Sequence, residues 1–291
     1  TSFRIGGPAD FLLLPENNQQ VAALVKLINK EGIPFYVIGN GSNLLVSDKG
    51  YRGIIIKIGQ NMSDIQVNEY NSSDKEGKED GSALYLVQAG AGVLLSKLAN
   101  TVADHELTGF EFASGIPGSL GGAVTMNAGA YDGEIKDCII GATVVDQMGN
   151  IKYLNKKDIK LSYRHSIIQE EKYVVLDASF VFARGKKEEI RSKMDDLNGR
   201  RREKQPLEFP SAGSTFKRPE GYFAGKLIMD AGLRGYQVGN AQVSEKHCGF
   251  VINKGGATAS DVITLIQEVR QIVFDKFGVM LEPEVRILGD F

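Results

Sequence analysis

The chain has 291 residues, enough to bury a large core and to divide into about two domains. Glycine is abundant at 34, but proline is only 8 and no Gly-X-Y period is present, which excludes collagen-like and Pro/Gly-rich disordered chains. Lys plus Arg number 34 against 36 Asp plus Glu, so there is neither a basic footprint for nucleic acid nor a cationic face for a membrane.

Two cysteines, Cys138 and Cys248, cannot make a disulfide framework and fit no zinc spacing; both read as small buried hydrophobes in a reducing compartment. No apolar run reaches the roughly 18 residues of a membrane span, and no signal peptide opens the chain. The expectation is a soluble, cytoplasmic monomer. The chain starts at Thr1 in the strand-like Ser2-Phe3-Arg4-Ile5, which reads as a start without its lead-in.

Along the chain, residues 11–14 (Phe-Leu-Leu-Leu) read as a buried strand. Asn17 and Asn18 offer an N-cap, Val21, Leu24, Val25 and Ile28 recur at helical spacing, and Gly32 stops the helix. Strands follow at 35–38, 44–46 and 54–56, so the first 58 residues read as a compact β-α-β-β unit. Residues 71–82 hold no apolar side chain and read as a solvated hairpin tip. Leu84 resumes strand character, Leu94, Leu95, Leu98 and Val102 form a helix face, and strands dominate 139–182. The highly charged stretch 186–205 reads as a helix, and its Arg200-Arg201-Arg202 as a solvated face or an anion site. Pro206 and Pro210 mark a linker. A short helix is expected at 224–231 and a longer one from Thr258, with Asp261 at the third position of a capping box and Val262, Ile263, Ile266, Val269, Ile272 and Val273 on its apolar face. Residues 284–288 close the chain as a strand.

Six glycines fall between 115 and 133, in a segment neither polar enough for a solvent loop nor periodic enough for a helix. Such a run either lets strands pack closely or lets backbone amides approach an anion such as a pyrophosphate. The turn at 39–43 has the same character. There is no Walker loop, and no Gly-x-Gly-x-x-Gly links a strand to a helix.

Five separated motifs carry a resemblance. They are Gly39-Asn40-Gly41-Ser42-Asn43-Leu44; Gly115-Ile116-Pro117-Gly118-Ser119 running on through Gly121-Gly122-Ala123 to Asn127, Gly129, Ala130 and Tyr131; Tyr163-Arg164-His165-Ser166; Gly213-Ser214-Thr215-Phe216-Lys217-Arg218-Pro219; and Leu281-Glu282-Pro283-Glu284-Val285-Arg286. In this order, over essentially the whole chain, they resemble the UDP-N-acetylenolpyruvoylglucosamine reductases (MurB) of peptidoglycan synthesis, flavoenzymes of the PCMH/VAO-like fold. The short run from Pro219 to Val251 is similar to the type II form, which lacks an extra substrate-capping segment.

The resemblance implies an α+β chain: FAD-binding subdomains at 1–58 and 59–185, a linker helix at 186–210, and a substrate-binding domain at 211–291 whose final strand returns to the active site. It implies FAD bound by Gly39, Asn40, Gly41, Ser42, Asn43 and Leu44, by Ser114, Gly115, Ile116, Pro117, Gly118 and Ser119, and by Gly121, Gly122, Ala123, Asn127, Gly129, Ala130 and Tyr131. NADPH is the implied hydride donor and UDP-N-acetylglucosamine enolpyruvate the substrate. Hydride adds to the vinyl carbon, an enolate forms, and a proton completes UDP-N-acetylmuramate. Ser214 is the implied proton donor, Arg164 the electrophile and Glu284 a hydrogen-bonding acid; Tyr163, Lys217, Arg218, Arg234 and His247 are implied substrate contacts. Locally, Ser214 reads only as a turn serine and the cations as solvated ones. The rival expectations are an FAD-dependent oxidase of the same fold and a non-catalytic nucleotide-binding protein.

Overall fold

The structure is a computed structural model and describes residues 1–70 and 83–291; the hairpin tip expected at 71–82 lies outside the described residues. The chain forms two compact units. One comprises Leu12–Asn40 and Ile54–Gly199, the other Thr1–Phe11, Gly41–Gly53 and Arg200–Phe291.

In the larger unit the helix Asn18–Lys30 begins as its sequence dictates: the Asn17 side chain accepts from the Gln20 amide at 2.9 Å, and Val21, Val25 and Ile28 are buried. Gly32 follows at φ +64°. Phe35–Ile38 pairs in parallel with 54–57. An antiparallel sheet runs in the order Ile151–Asn155, Ile139–Val145, Val174–Arg184, Leu84–Gly90, Ile65–Glu69. Its longest strand, Val174–Arg184, carries Phe180 and Phe182, which pack with Phe110 at centroid distances of 5.5 and 5.8 Å. The helix Leu95–Asp104 buries Leu95, Leu98 and Val102 in the same core.

Two expectations change. The strand Ala9–Leu13 forms but is not buried: Phe11, Leu12 and Leu14 are 64, 56 and 58% exposed. The strand is at one edge of its three-stranded sheet, and an apolar run does not record which of its sides is covered. The glycine-rich segment contains the helix Leu120–Thr125, whose two glycines hide its periodicity.

The smaller unit holds an antiparallel sheet in the order Ser211–Ser214, Phe250–Asn253, Ala241–Val243, Gln237–Val238. Over it lies the helix Ala259–Phe277. Thr258 and Asp261 form the capping box, Gly278 ends the helix at φ +69°, and Val262, Leu265, Ile266, Val269 and Val273 are buried. Each of those side chains contributes about 1.5–3 kcal/mol against about 1 for the cap, so packing dominates the helix's stability. Thr1–Phe11 and Gly41–Gly53, parts of the unit expected over 1–58, group here instead. The reason is pairing: Leu44–Val46 runs parallel to Arg286–Leu288, and the Asp48 carboxylate accepts from the Ala259 and Ser260 amides at 2.7 and 3.0 Å.

Candidate flavin and substrate sites

In the larger unit, residues 39–40 lie against the start of the glycine-rich helix. The Asn40 side-chain amide donates to the Pro117 carbonyl at 2.6 Å. A methyl group on Gly39 would sit 1.8 Å from Ser119 Oγ, so any side chain there would displace that hydroxyl. Ser119 takes the N-cap position of Leu120–Thr125 without capping it. Its hydroxyl is buried and finds no hydrogen-bond partner among the described residues. A buried hydroxyl without a partner costs about 1–3 kcal/mol, and a polar cofactor group beside it would recover that cost. Gly122 opens onto space, with nothing within 4 Å of where a side chain would begin. The donor-rich, small-residue character of the segment fits a nucleotide cofactor.

Not every expected cofactor residue has this character. The Gly121 amide donates to Ala91 O at 2.8 Å, and a methyl group there would meet Ala91 Cβ at 3.0 Å. Gly121 therefore fits the helix against the turn that follows the strand Leu84–Gly90. Ala123 is buried in the core. Asn127, fully buried at φ +46°, spends its side chain on the protein: Oδ1 accepts from Lys136 N, and Nδ2 donates to Ser162 O and Glu134 Oε2. Gly118 accepts from Leu95 N, and Ile116 donates to Ala113 O. Gly129 and Ala130 pair with Glu134 and Gly133 in a tight hairpin, with Tyr131 and Asp132 at its tip at φ +52° and +66°. Ser114 is buried, next to Gly115.

Arg164 lies in the turn closed by reciprocal bonds between Ser162 and His165. Its guanidinium donates to the carbonyls of Asn127 and Gly129, both at 3.3 Å, and stacks 5.0 Å from the Tyr163 ring centre. The electrophile expected from sequence is thus attached to the end of the glycine-rich segment.

The smaller unit assembles the remaining candidates. Four residues, Ser211 to Ser214, oppose three, Ile252 to Phe250, a bulge that Gly213 accommodates at φ +77° with open space beside it. The bulge leaves Ser214 exposed while Thr215 is buried, its hydroxyl accepting from Val251 N at 3.0 Å. Glu284 N donates to Thr215 O and Lys217 N to Glu282 O, each at 2.8 Å, so Glu284 is held beside the Ser214 segment. Glu282, the other acid of the motif, is paired with Lys217. Gly41 adopts φ +64°, and its carbonyl accepts from Ser2 N at 3.1 Å. Ser42 follows; the Asn43 side-chain amide donates to the Glu284 carbonyl, and Leu44 is buried in pairing with Arg286.

The substrate cations have protein partners. Arg218 lies 4.0 Å from the Phe223 ring centre, and Arg234 donates to Glu245 O and Met229 Sδ. His247 packs edge-on against Phe250, and its Nδ1 accepts from Gly249 N at 3.1 Å. Burial lowers its pKa and keeps the ring neutral, so it can offer Nε2–H but no charge.

Residues 205–288 match the family described as UDP-N-acetylenolpyruvoylglucosamine reductase, C-terminal domain, and residues 9–155 match an FAD binding domain. The chain is 57% identical over its full length to UDP-N-acetylenolpyruvoylglucosamine reductase from Lachnoclostridium phytofermentans, spanning 90% of that protein, and 56% identical to that from Agathobacter rectalis, spanning 91%. The chain belongs to the UDP-N-acetylenolpyruvoylglucosamine reductase family. The crystal structure of the Thermus caldophilus member superimposes with a TM-score of 0.79 at 31% identity, over 99% of this chain and 96% of that one. The resemblance read from five motifs is borne out. As a member of the family, the chain is an FAD-binding oxidoreductase of mixed α and β structure, and its FAD-binding domain includes both glycine-bearing segments, 39–44 and 114–131. Among the described residues, no helix is long and apolar enough to cross a membrane.

Sequence reasoning missed the residues that hold these candidates in place. Glu111, buried just before the glycine-rich segment, accepts from Thr108 Oγ1, Gly109 N and Lys193 Nζ at 2.7, 3.0 and 3.2 Å. Gln169 supports Arg164 from behind. Neither lies in a motif, and each also makes a contact distant in sequence, Glu111 with Lys193 and Gln169 with Thr125.

Proposed function

We propose that this protein is a cytoplasmic, monomeric, type II reductase that uses NADPH and FAD to convert UDP-N-acetylglucosamine enolpyruvate into UDP-N-acetylmuramate for peptidoglycan. The observation that carries the reading is the bulge at Gly213, which exposes Ser214 while the pairing of 215–217 with 282–284 fixes Glu284 beside it.

When bound, FAD takes electrons from NADPH and supplies them to the substrate as hydride. Its nucleotide is held by residues 39–44 and by the segment 114–131, where Ser119 and Gly122 have the clearest character for it. Arg164 stays cationic at any working pH and stabilises charge building on the substrate carboxylate, a contribution of about 3–4 kcal/mol. Glu284 supplies a further hydrogen bond to that carboxylate. Ser214 Oγ gives its proton to the carbon next to the carboxylate; its small hydroxyl reaches a centre crowded by the sugar. Lys217, Arg218 and Arg234 hold the diphosphate, with Tyr163 and His247 at the remaining contacts. The short run 219–251, occupied by one helix, two short strands and the start of a third, supports the type II assignment.

The test is spectroscopic. FAD-loaded protein is expected to be yellow, to bleach with NADPH, and to regain colour on addition of the enolpyruvyl sugar nucleotide. Protein that cannot be loaded with FAD would end the proposal.

A further inference from the structure

Arg164 is at φ +54°, the left-handed region that costs a residue with a side chain about 1–2 kcal/mol. It is the second central residue of the Ser162–His165 turn and the only one of the two with positive φ, a place usually taken by glycine or asparagine. Such a conformation persists only where its surroundings over-determine it. Those surroundings can be traced. The Gln169 side-chain amide donates to the Arg164 carbonyl at 3.2 Å and to the Thr125 carbonyl at 2.8 Å. Ser166 is fully buried and takes the N-cap position of the short helix Ile167–Glu170, yet its hydroxyl leaves the cap and donates to the same Thr125 carbonyl. Thr125 ends the glycine-rich helix, and Asn127, two residues on, accepts from the Arg164 guanidinium and donates to Ser162 O. The arginine is therefore clamped at its carbonyl and at its guanidinium, with Thr125 and Asn127 as the fixed points.

We propose that Gln169 is the positioning residue for Arg164: by bridging the Arg164 and Thr125 carbonyls it holds the turn in its left-handed form and aims the guanidinium. This rests on the reading of Arg164 as the group that faces the substrate carboxylate. Gln169 donates through one amide nitrogen to two carbonyls, so a side chain of similar length without a donor releases both.

The experiment is a double-mutant cycle on the FAD-loaded full chain with Gln169→Met, which keeps length and volume, Arg164→Ala, and the two combined. Anaerobic stopped flow measures flavin reduction by NADPH and, separately, reoxidation by UDP-N-acetylglucosamine enolpyruvate. Gln169→Met is expected to slow reoxidation about tenfold at saturating substrate, to leave reduction by NADPH unchanged, and to cost nothing further once Arg164→Ala is present. A second readout needs no turnover: amide exchange at His165 should quicken in Gln169→Met, as the turn loosens. Gln169→Glu, the same shape with no donor when ionised, should reproduce both effects. Equal losses from Gln169→Met in the parent and in the Arg164→Ala variant, or no loss in reoxidation, would overturn the positioning role. An unchanged reoxidation rate in Arg164→Ala alone would overturn the reading of Arg164 and this proposal with it.

Discussion

The side-chain amide of Asn43 donates to the Glu284 carbonyl at 3.2 Å, while the Asn43 carbonyl accepts from the Arg286 amide at 3.0 Å. One residue of the Gly39–Leu44 motif thus grips the segment carrying the candidate acid, just before the strand Arg286–Leu288. Asn43→Asp keeps the shape but loses the donor. It is expected to lower stability by about 1 kcal/mol in denaturant unfolding and to slow the substrate half-reaction by a larger factor than it weakens FAD binding. A large loss of FAD with an unaffected substrate step would show that Asn43 serves the cofactor instead.

Gly121 and Gly122 separate packing from binding. Gly122→Ala puts a methyl group into open space on a helix, which favours the FAD-free protein by about 0.5–1 kcal/mol. The same methyl group faces the proposed flavin nucleotide, so FAD affinity should drop at least tenfold. Gly121→Ala, pressed on Ala91, should instead lower stability. Thermal unfolding with and without FAD distinguishes the two variants.

The buried Glu111 predicts a pH dependence. Burial is the largest single influence and raises its pKa, but the Thr108 hydroxyl, the Gly109 and Glu111 amides and the Lys193 charge together outweigh it, leaving the pKa below the usual glutamate value. A carboxylate with a depressed folded pKa stabilises the protein above its unfolded pKa near 4.5, and that contribution is lost as pH falls through the lower folded value. Glu111→Gln should therefore destabilise the protein at pH 7 and flatten the acid limb of a stability profile below about pH 4.5. A variant with the same acid limb as the parent would remove Glu111 from this role.

How much of this was legible in the sequence depends on how local each signal was. The helix Ala259–Phe277 could be read end to end because cap, apolar period and stop glycine all agree. The helix Leu120–Thr125 could not, because two glycines interrupt its pattern. Leu44–Val46 looked like part of a leading unit; its partner, Arg286–Leu288, comes at the far end of the chain, and no local feature records that pairing. The candidate site divides likewise. Ser214, Arg164 and Glu284 were reached through motif order, since each alone reads as an ordinary turn or surface residue. The bulge that exposes Ser214 was foreshadowed only by Gly213, and Gln169 by nothing, because its role exists only where Thr125 and Arg164 meet in space.

The central claim is that Ser214 is the proton donor of a two-step flavin reduction, and half-reaction kinetics on Ser214→Ala test it most directly. The exposed hydroxyl can be removed with little effect on the fold. Bleaching of the FAD-loaded variant by NADPH is expected at the parent rate, while return of colour with UDP-N-acetylglucosamine enolpyruvate slows at least a hundredfold. Return of colour at the parent rate, with UDP-N-acetylmuramate formed, would contradict it.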